Sequence, residues 1–92
     1  MLFRSHYATA SWYDNAGQTA SGKHHRYGFA AREWLRFGTR VRFCARHCIT
    51  GIMDDHGPYV AGRLFDLGPQ LHRDTGCSDL CHVRWRVVRQ PN

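Results

Sequence analysis

Four cysteines fall in two clusters of one spacing, Cys44-Ala-Arg-His-Cys48 and Cys77-Ser-Asp-Leu-Cys81. Two chemistries use such clusters. Four thiolates in a tetrahedron hold a structural zinc, for which three-residue gaps lie in the looser range. Alternatively each cluster closes a disulfide. The flanks favour the second: Val41 and Phe43 before, and Ile49 and Ile52 after, read as strands joined by a short turn, which brings hairpin ends within bonding range. Local pairs, Cys44 with Cys48 and Cys77 with Cys81, are expected out of three connectivities, in an oxidising location, with zinc as the alternative. His24, His25, His47, His56, His72 and His82 share no spacing that would gather a metal, so neither metal nor cofactor is expected. His56 stands apart, because it neighbours Asp55 and could orient that carboxylate. Asp55 precedes a Gly57-Pro58 turn, where aspartate often accepts backbone amides, and Asp66 precedes a short helix that it could cap.

The elements that must position these groups are mostly strands. Tyr7 to Tyr13 alternates Ala8, Ala10 and Trp12 against Tyr7, Thr9 and Ser11, which places Trp12 in the core. Residues 14–25 lack an apolar period and read as a long surface loop. Phe29 to Trp34 fits a strand or a single helical turn. Arg40 to Phe43 and Cys48 to Met53 read as strands, and Asp54-Asp55-His56-Gly57-Pro58 as a sharp break, since Gly accepts positive φ and Pro donates no amide. Leu64 to Leu67 is extended. Gly68 to Thr75 is the one plausible helix, with Pro69 in its first turn and an end near Gly76. Val83-Arg84-Trp85-Arg86-Val87 alternates strictly, valines and tryptophan inward and arginines outward. Many short strands and Gly-rich turns make a barrel or sandwich.

Ninety-two residues allow a single domain, 1–92, with a core from about residue 7 to 88. Thirteen Lys and Arg against seven Asp and Glu give +6, which favours an anionic partner. Twelve of the thirteen cations are arginines scattered among strands rather than gathered in a block, which disfavours nucleic acid. No apolar run reaches the roughly 18 residues of a membrane span, and Met1 to Tyr7 lacks the features of a secretory signal peptide.

An ordered set of motifs then emerges. Ala10-Ser11-Trp12-Tyr13, Thr19-Ala20-Ser21-Gly22, Phe37-Gly38-Thr39-Arg40-Val41-Arg42, Asp55-His56-Gly57-Pro58-Tyr59-Val60-Ala61-Gly62-Arg63, Phe65-Asp66-Leu67 and Val83-Arg84-Trp85-Arg86-Val87 together resemble the rare lipoprotein A family of septal-ring lytic transglycosylases and expansin-like proteins. The resemblance spans about Tyr7 to Val88. It implies a mainly β fold, a six-stranded double-psi β-barrel with one short helix. It also implies a role in binding peptidoglycan glycan strands or cleaving them as a lytic transglycosylase. One carboxyl can protonate the glycosidic oxygen and then accept the proton of the sugar's 6-hydroxyl as the anhydro ring closes. Asp55 matches the family's aspartate of an Asp-Arg-Gly-Pro motif, with His56 in place of arginine, and Asp66 matches the aspartate that expansin-like proteins need. These two are the expected catalytic pair. Tyr13, Ser21, His56, Tyr59 and Arg63 are the expected glycan contacts, Tyr59 being the better stacking surface.

The pattern also departs from the family. After Thr-Ala-Ser-Gly the active enzymes carry two acidic residues, and a histidine after the following Ala-Ala; here Lys23, Arg26 and Arg32 stand in those places, with Glu33 or Asp14 as possible compensation. The alternative expectation is therefore a non-catalytic structural or adhesive barrel of a phage virion or tail, partnered by other virion or envelope proteins. The expected location is the extracytoplasmic envelope or a virion.

Overall fold

The computed structural model describes residues 6–13, 19–22, 25–59 and 61–91. Six strands and one helix follow in the order β1 (His6–Trp12), β2 (Gly28–Ala31), β3 (Arg40–Cys44), β4 (Cys48–His56), β5 (Phe65–Leu67), α1 (Pro69–Asp74) and β6 (Cys81–Arg89). They close into one barrel in the spatial order β1-β5-β2-β4-β3-β6, with β6 returning to β1. β1 with β5 and β2 with β4 pair in parallel, and the other ladders are antiparallel. The expected six-stranded barrel with one short helix is the one observed.

Period-two alternation builds the core. Val41 and Phe43 of β3 are buried between exposed Arg40 and Arg42, and Val83, Trp85 and Val87 of β6 face inward as expected. Phe29, Phe43 and Phe65 meet edge to face with centroids 4.9 to 5.7 Å apart, a favoured aromatic geometry. Alanines keep the barrel narrow where β1 and β2 enter it: Ala10 and Ala31 are fully buried. Leu71 is the buried residue of α1, and its neighbour Asp74 accepts a 2.7 Å hydrogen bond from the Tyr27 hydroxyl, which ties the helix to the turn before β2.

Both local disulfides are present, Cys44–Cys48 and Cys77–Cys81, so no thiolate remains for zinc. The two closed loops adjoin: the amides of Arg46 and His47 both donate to the Thr75 carbonyl at 2.9 Å.

Four expectations need correction. Residues 29–34 split into a strand ending at Ala31 and a turn. β4 does not break at Asp54; it continues to His56, because a register shift opposite Phe29/Ala30 absorbs an extra residue as a bulge. Trp12 is 46% exposed rather than buried: it ends β1 beyond the barrel layer and stacks on His72 of α1 at 5.5 Å. Asp66 does not cap the helix. Gly68 occupies the cap position, and the Asp66 side chain is engaged across the sheet.

Candidate functional site

The register of four adjacent strands assembles a polar rung on the outer face of the barrel. Ser11 of β1 lies opposite Asp66 of β5, Asp66 opposite Ala30 of β2, and Ala30 opposite Asp55 of β4. Residues paired in register point to one face. Ala30 stands outside the core cluster that holds Phe29 and Ala31 and so points to the outer side of the sheet, where it is only 3% exposed and packs beneath Gly57. The two expected catalytic aspartates flank Ala30 about two strand spacings, roughly 10 Å, apart at the backbone. Asp66 leans across that gap: its Oδ2 is 3.7 Å from where a Cβ on Gly57 would stand.

Each aspartate is held. Ser11 donates its hydroxyl to Asp66 Oδ1. Asp55 Oδ1 accepts the backbone amides of Ala20, at 3.0 Å, and His56, at 2.9 Å. The Thr19-Ala20-Ser21-Gly22 turn is docked here, since the Ser21 amide also donates to the Asp54 carbonyl at 3.2 Å and its hydroxyl meets Thr19 Oγ1 at 3.1 Å. Asp55 therefore anchors the turn as well as facing the rung.

Asp54 belongs to the cluster and was not foreseen. It is 1% exposed, and its Oδ2 accepts the His25 amide at 3.2 Å and lies 3.3 Å from His25 Nδ1. Burial raises its pKa above the usual carboxylate value, the His25 contacts pull it back down, and the Asp55 charge adds to the rise. The signal was the Asp54-Asp55 doublet itself: two successive strand residues point to opposite faces unless a bulge intervenes. The spacing of the histidines gives no sign of the His25 contact, because its partner lies 29 positions away.

Tyr13 completes the group. Its hydroxyl is buried with no hydrogen bond of good geometry among the described residues, as is Asp54 Oδ1. Burial first, then the carboxylates of Asp54, Asp55 and Asp66, push the phenol well above the ordinary tyrosine range. One phenol thus senses three carboxylates.

One rung further along the same face the character changes. The Leu64 amide donates to the Thr9 carbonyl, and Arg32 follows Ala30 by two residues. A cleft of about 600 Å³ opens here, lined among others by Tyr7, Thr9, Arg32, Trp34, Arg63 and His82, with no acidic side chain among the described residues of its wall. Arg32 Nε donates to the Pro58 carbonyl at 2.7 Å, and the guanidinium lies over the ring of Tyr59, which is 67% exposed.

The structure thus gathers Asp55, Asp66 and Tyr13 at the acidic rung, and Arg63 in the cleft with Tyr59 beside Arg32, while Ser21 lines a separate small cavity with His25 and Phe37. It separates His56, whose ring stacks on Phe37 at 4.5 Å; its amide, not its imidazole, reaches Asp55. Glu33 is exposed in the turn after β2, Arg26 lies over Tyr27, and Asp14, Lys23 and His24 lie outside the described residues. No group of three or more His, Cys, Asp or Glu arranged to hold a metal occurs among the described residues. No helix among them is long and apolar enough to cross a membrane.

No protein-family model and no curated protein sequence matches the chain. Solved structures do. A Streptomyces papain inhibitor superposes with a TM-score of 0.76 at 15% identity, over 94% of this chain and 96% of its own. The computationally designed msDPBB_sym2 and the rationally designed mkDPBB_sym2 superpose with TM-scores of 0.66 and 0.64, at 13% and 12% identity, each over 92% of this chain and all of theirs. The barrel order, the two parallel ladders and these superpositions together make the fold of this chain a double-psi β-barrel.

Proposed function

We propose that the outer face of β1-β5-β2-β4 is a groove for a glycan strand, and that its carboxylates cleave the strand by lytic transglycosylation. The observation that carries this reading is the single rung Ser11-Asp66-Ala30-Asp55, where two half-buried carboxylates stand in register on either side of buried Ala30. Ala30 itself is buried beneath Gly57, so a sugar ring would sit at the rim of this rung, where the half-buried carboxyls of Asp55 and Asp66 face it. One, in its acid form, protonates the glycosidic oxygen as the bond to C1 breaks. The 6-hydroxyl oxygen then bonds to C1, and its proton returns to a carboxylate, so water is not consumed. Buried Asp54, whose own carboxyl is raised by burial, and the Tyr13 phenol stand beside the rung. Beyond the rung, Tyr59, Trp34 and the arginines of the cleft offer aromatic faces and donors to neighbouring sugars. The two disulfides support an extracytoplasmic setting.

Purified stem-free glycan strands incubated with the protein should yield anhydro-sugar ends by mass spectrometry. Asp66→Asn or Asp55→Asn should lower their release by about 10²-fold or more, the usual worth of a general acid or base. Strands bound without anhydro ends would leave a binding module. Neither ends nor binding at high protein loading overturns the reading. Protease inhibition is a second reading, prompted by the shared fold with a papain inhibitor over 94% of this chain, and assaying papain with the same preparation separates the two.

A further inference from the structure

The strand pair across the barrel from the acidic rung carries the opposite charge. Arg40 and Arg42 of β3 and Arg84, Arg86 and Arg89 of β6 are all exposed. Register sets Arg42 opposite Arg86 and, past a shift that skips Val88, Arg40 opposite Arg89, while Arg84 lies opposite Cys44. Like charges directly opposite each other are unfavourable, and two such pairs stand on one face. The adjoining outward residues do not relieve them: Thr50 of β4 neighbours Arg42, and Tyr7 of β1 neighbours Arg84. Ion pairs between described residues join only His25 to Asp54 and Arg73 to Asp74, and none of the seven acidic residues lies in β1, β3 or β6. A cleft of about 320 Å³ lies among Arg42, Arg84 and Arg86.

We propose that this arginine face is a binding site for a linear phosphodiester polyanion of the polyol-phosphate class. Guanidinium groups pair with phosphate oxygens through planar, charge-assisted donors. Alternate residues along a strand lie about 6.8 Å apart, within reach of successive phosphates on a flexible chain. Nucleic acid fits this face less well, because single strands are held largely by stacked aromatics. The aromatics of this strand pair turn inward: Phe43 is fully buried and Trp85 packs on Phe65 at 5.0 Å. A lipid surface would want apolar side chains to insert, and Val88 is the one large apolar residue exposed on β3 and β6. The face shares no residue with the glycan groove, so the two readings stand or fall separately.

Titration of the intact protein with poly(glycerol phosphate), beside a single-stranded oligonucleotide of equal charge and phosphatidylglycerol vesicles, tests the assignment. The polyol phosphate should bind tightest, with affinity falling steeply as salt is added. Arg42→Thr with Arg86→Thr should weaken it at least tenfold and reduce the slope of log affinity against log salt by about one to two. The release of anhydro ends from glycan strands should stay as in the parent. Arg84→Thr with Arg89→Thr gives the same expectation if the first pair misfolds. Absence of binding, binding untouched by either pair, or tighter binding of the oligonucleotide or the vesicles overturns the proposal.

Discussion

At the residue scale the acidic rung is defined by what its phenol lacks. Tyr13 carries a buried hydroxyl beside Asp54, Asp55 and Asp66, yet neither it nor Asp54 Oδ1 finds a well-formed partner among the described residues. A buried polar group without a partner forfeits its hydration, at about 1 to 3 kcal/mol, whereas a folded protein usually avoids that cost. Tyr13→Phe keeps the ring and removes the hydroxyl, so stability should hold or rise by about 1 kcal/mol in denaturant melts. Cleavage of glycan strands should fall in the same variant, because the one phenol that feels all three carboxylates is gone. A loss of stability beyond about 1 kcal/mol would show instead that the hydroxyl makes a structural hydrogen bond.

At the element scale the site depends on the bulge in β4, which puts both members of an aspartate doublet to use. Asp54 is buried against Gly28 and Asp55 faces the rung: a Cβ on Gly28 would lie only 2.8 Å from Asp54 Cγ. Gly28→Ala must displace that carboxyl or spread β2 from β4, and overpacking of this kind costs about 1 to 3 kcal/mol. Thermal melts should register the loss, and the His25 amide, which now bonds Asp54, should exchange faster with solvent. Unchanged melting and exchange would mean that Asp54 does not lie over Gly28. The same bulge marks where sequence reading stops. β3 and β6 were legible because Val41, Phe43, Val83 and Trp85 keep a strict period of two, and the hairpin cysteines because their flanks were strands. Asp54-Asp55-His56 read as a break because aspartate and Gly-Pro favour turns locally; what keeps the strand going are long-range bonds, from Ala20 and Ser21 to residues 55 and 54, that no local window contains. Asp66 was singled out as one of the expected catalytic pair, with a helix cap as its alternative duty, but its partner Ser11, 55 positions away, was out of reach of a local reading. Trp12 followed the alternation rule to the last residue of its strand, where the barrel wall no longer covers it.

At the scale of the whole molecule, charge is sorted by face rather than spread. Asp54, Asp55 and Asp66 lie on β4 and β5, while five arginines crowd β3 and β6. With a net charge of +6, the arginine face adds self-repulsion to a domain small enough to feel it. Replacing Arg42 and Arg86 by threonine removes one directly opposed like-charge pair and installs a good strand former. At low ionic strength the double variant should therefore be more stable than the parent by about 0.5 to 1 kcal/mol, the scale of a cross-strand pair. Salt screens exposed charges beyond about 3 Å at 1 M, so the advantage should shrink to nearly nothing there, and the parent alone should gain markedly on salt addition. Denaturant midpoints at low and high sodium chloride measure both. A variant less stable than the parent at low salt would mean that the guanidinium stems stabilise β3 and β6 by packing more than their charges strain them. A gain at low salt that disappears at high salt would mark these arginines as groups the fold carries at a cost, as a surface kept for an external polyanion would be.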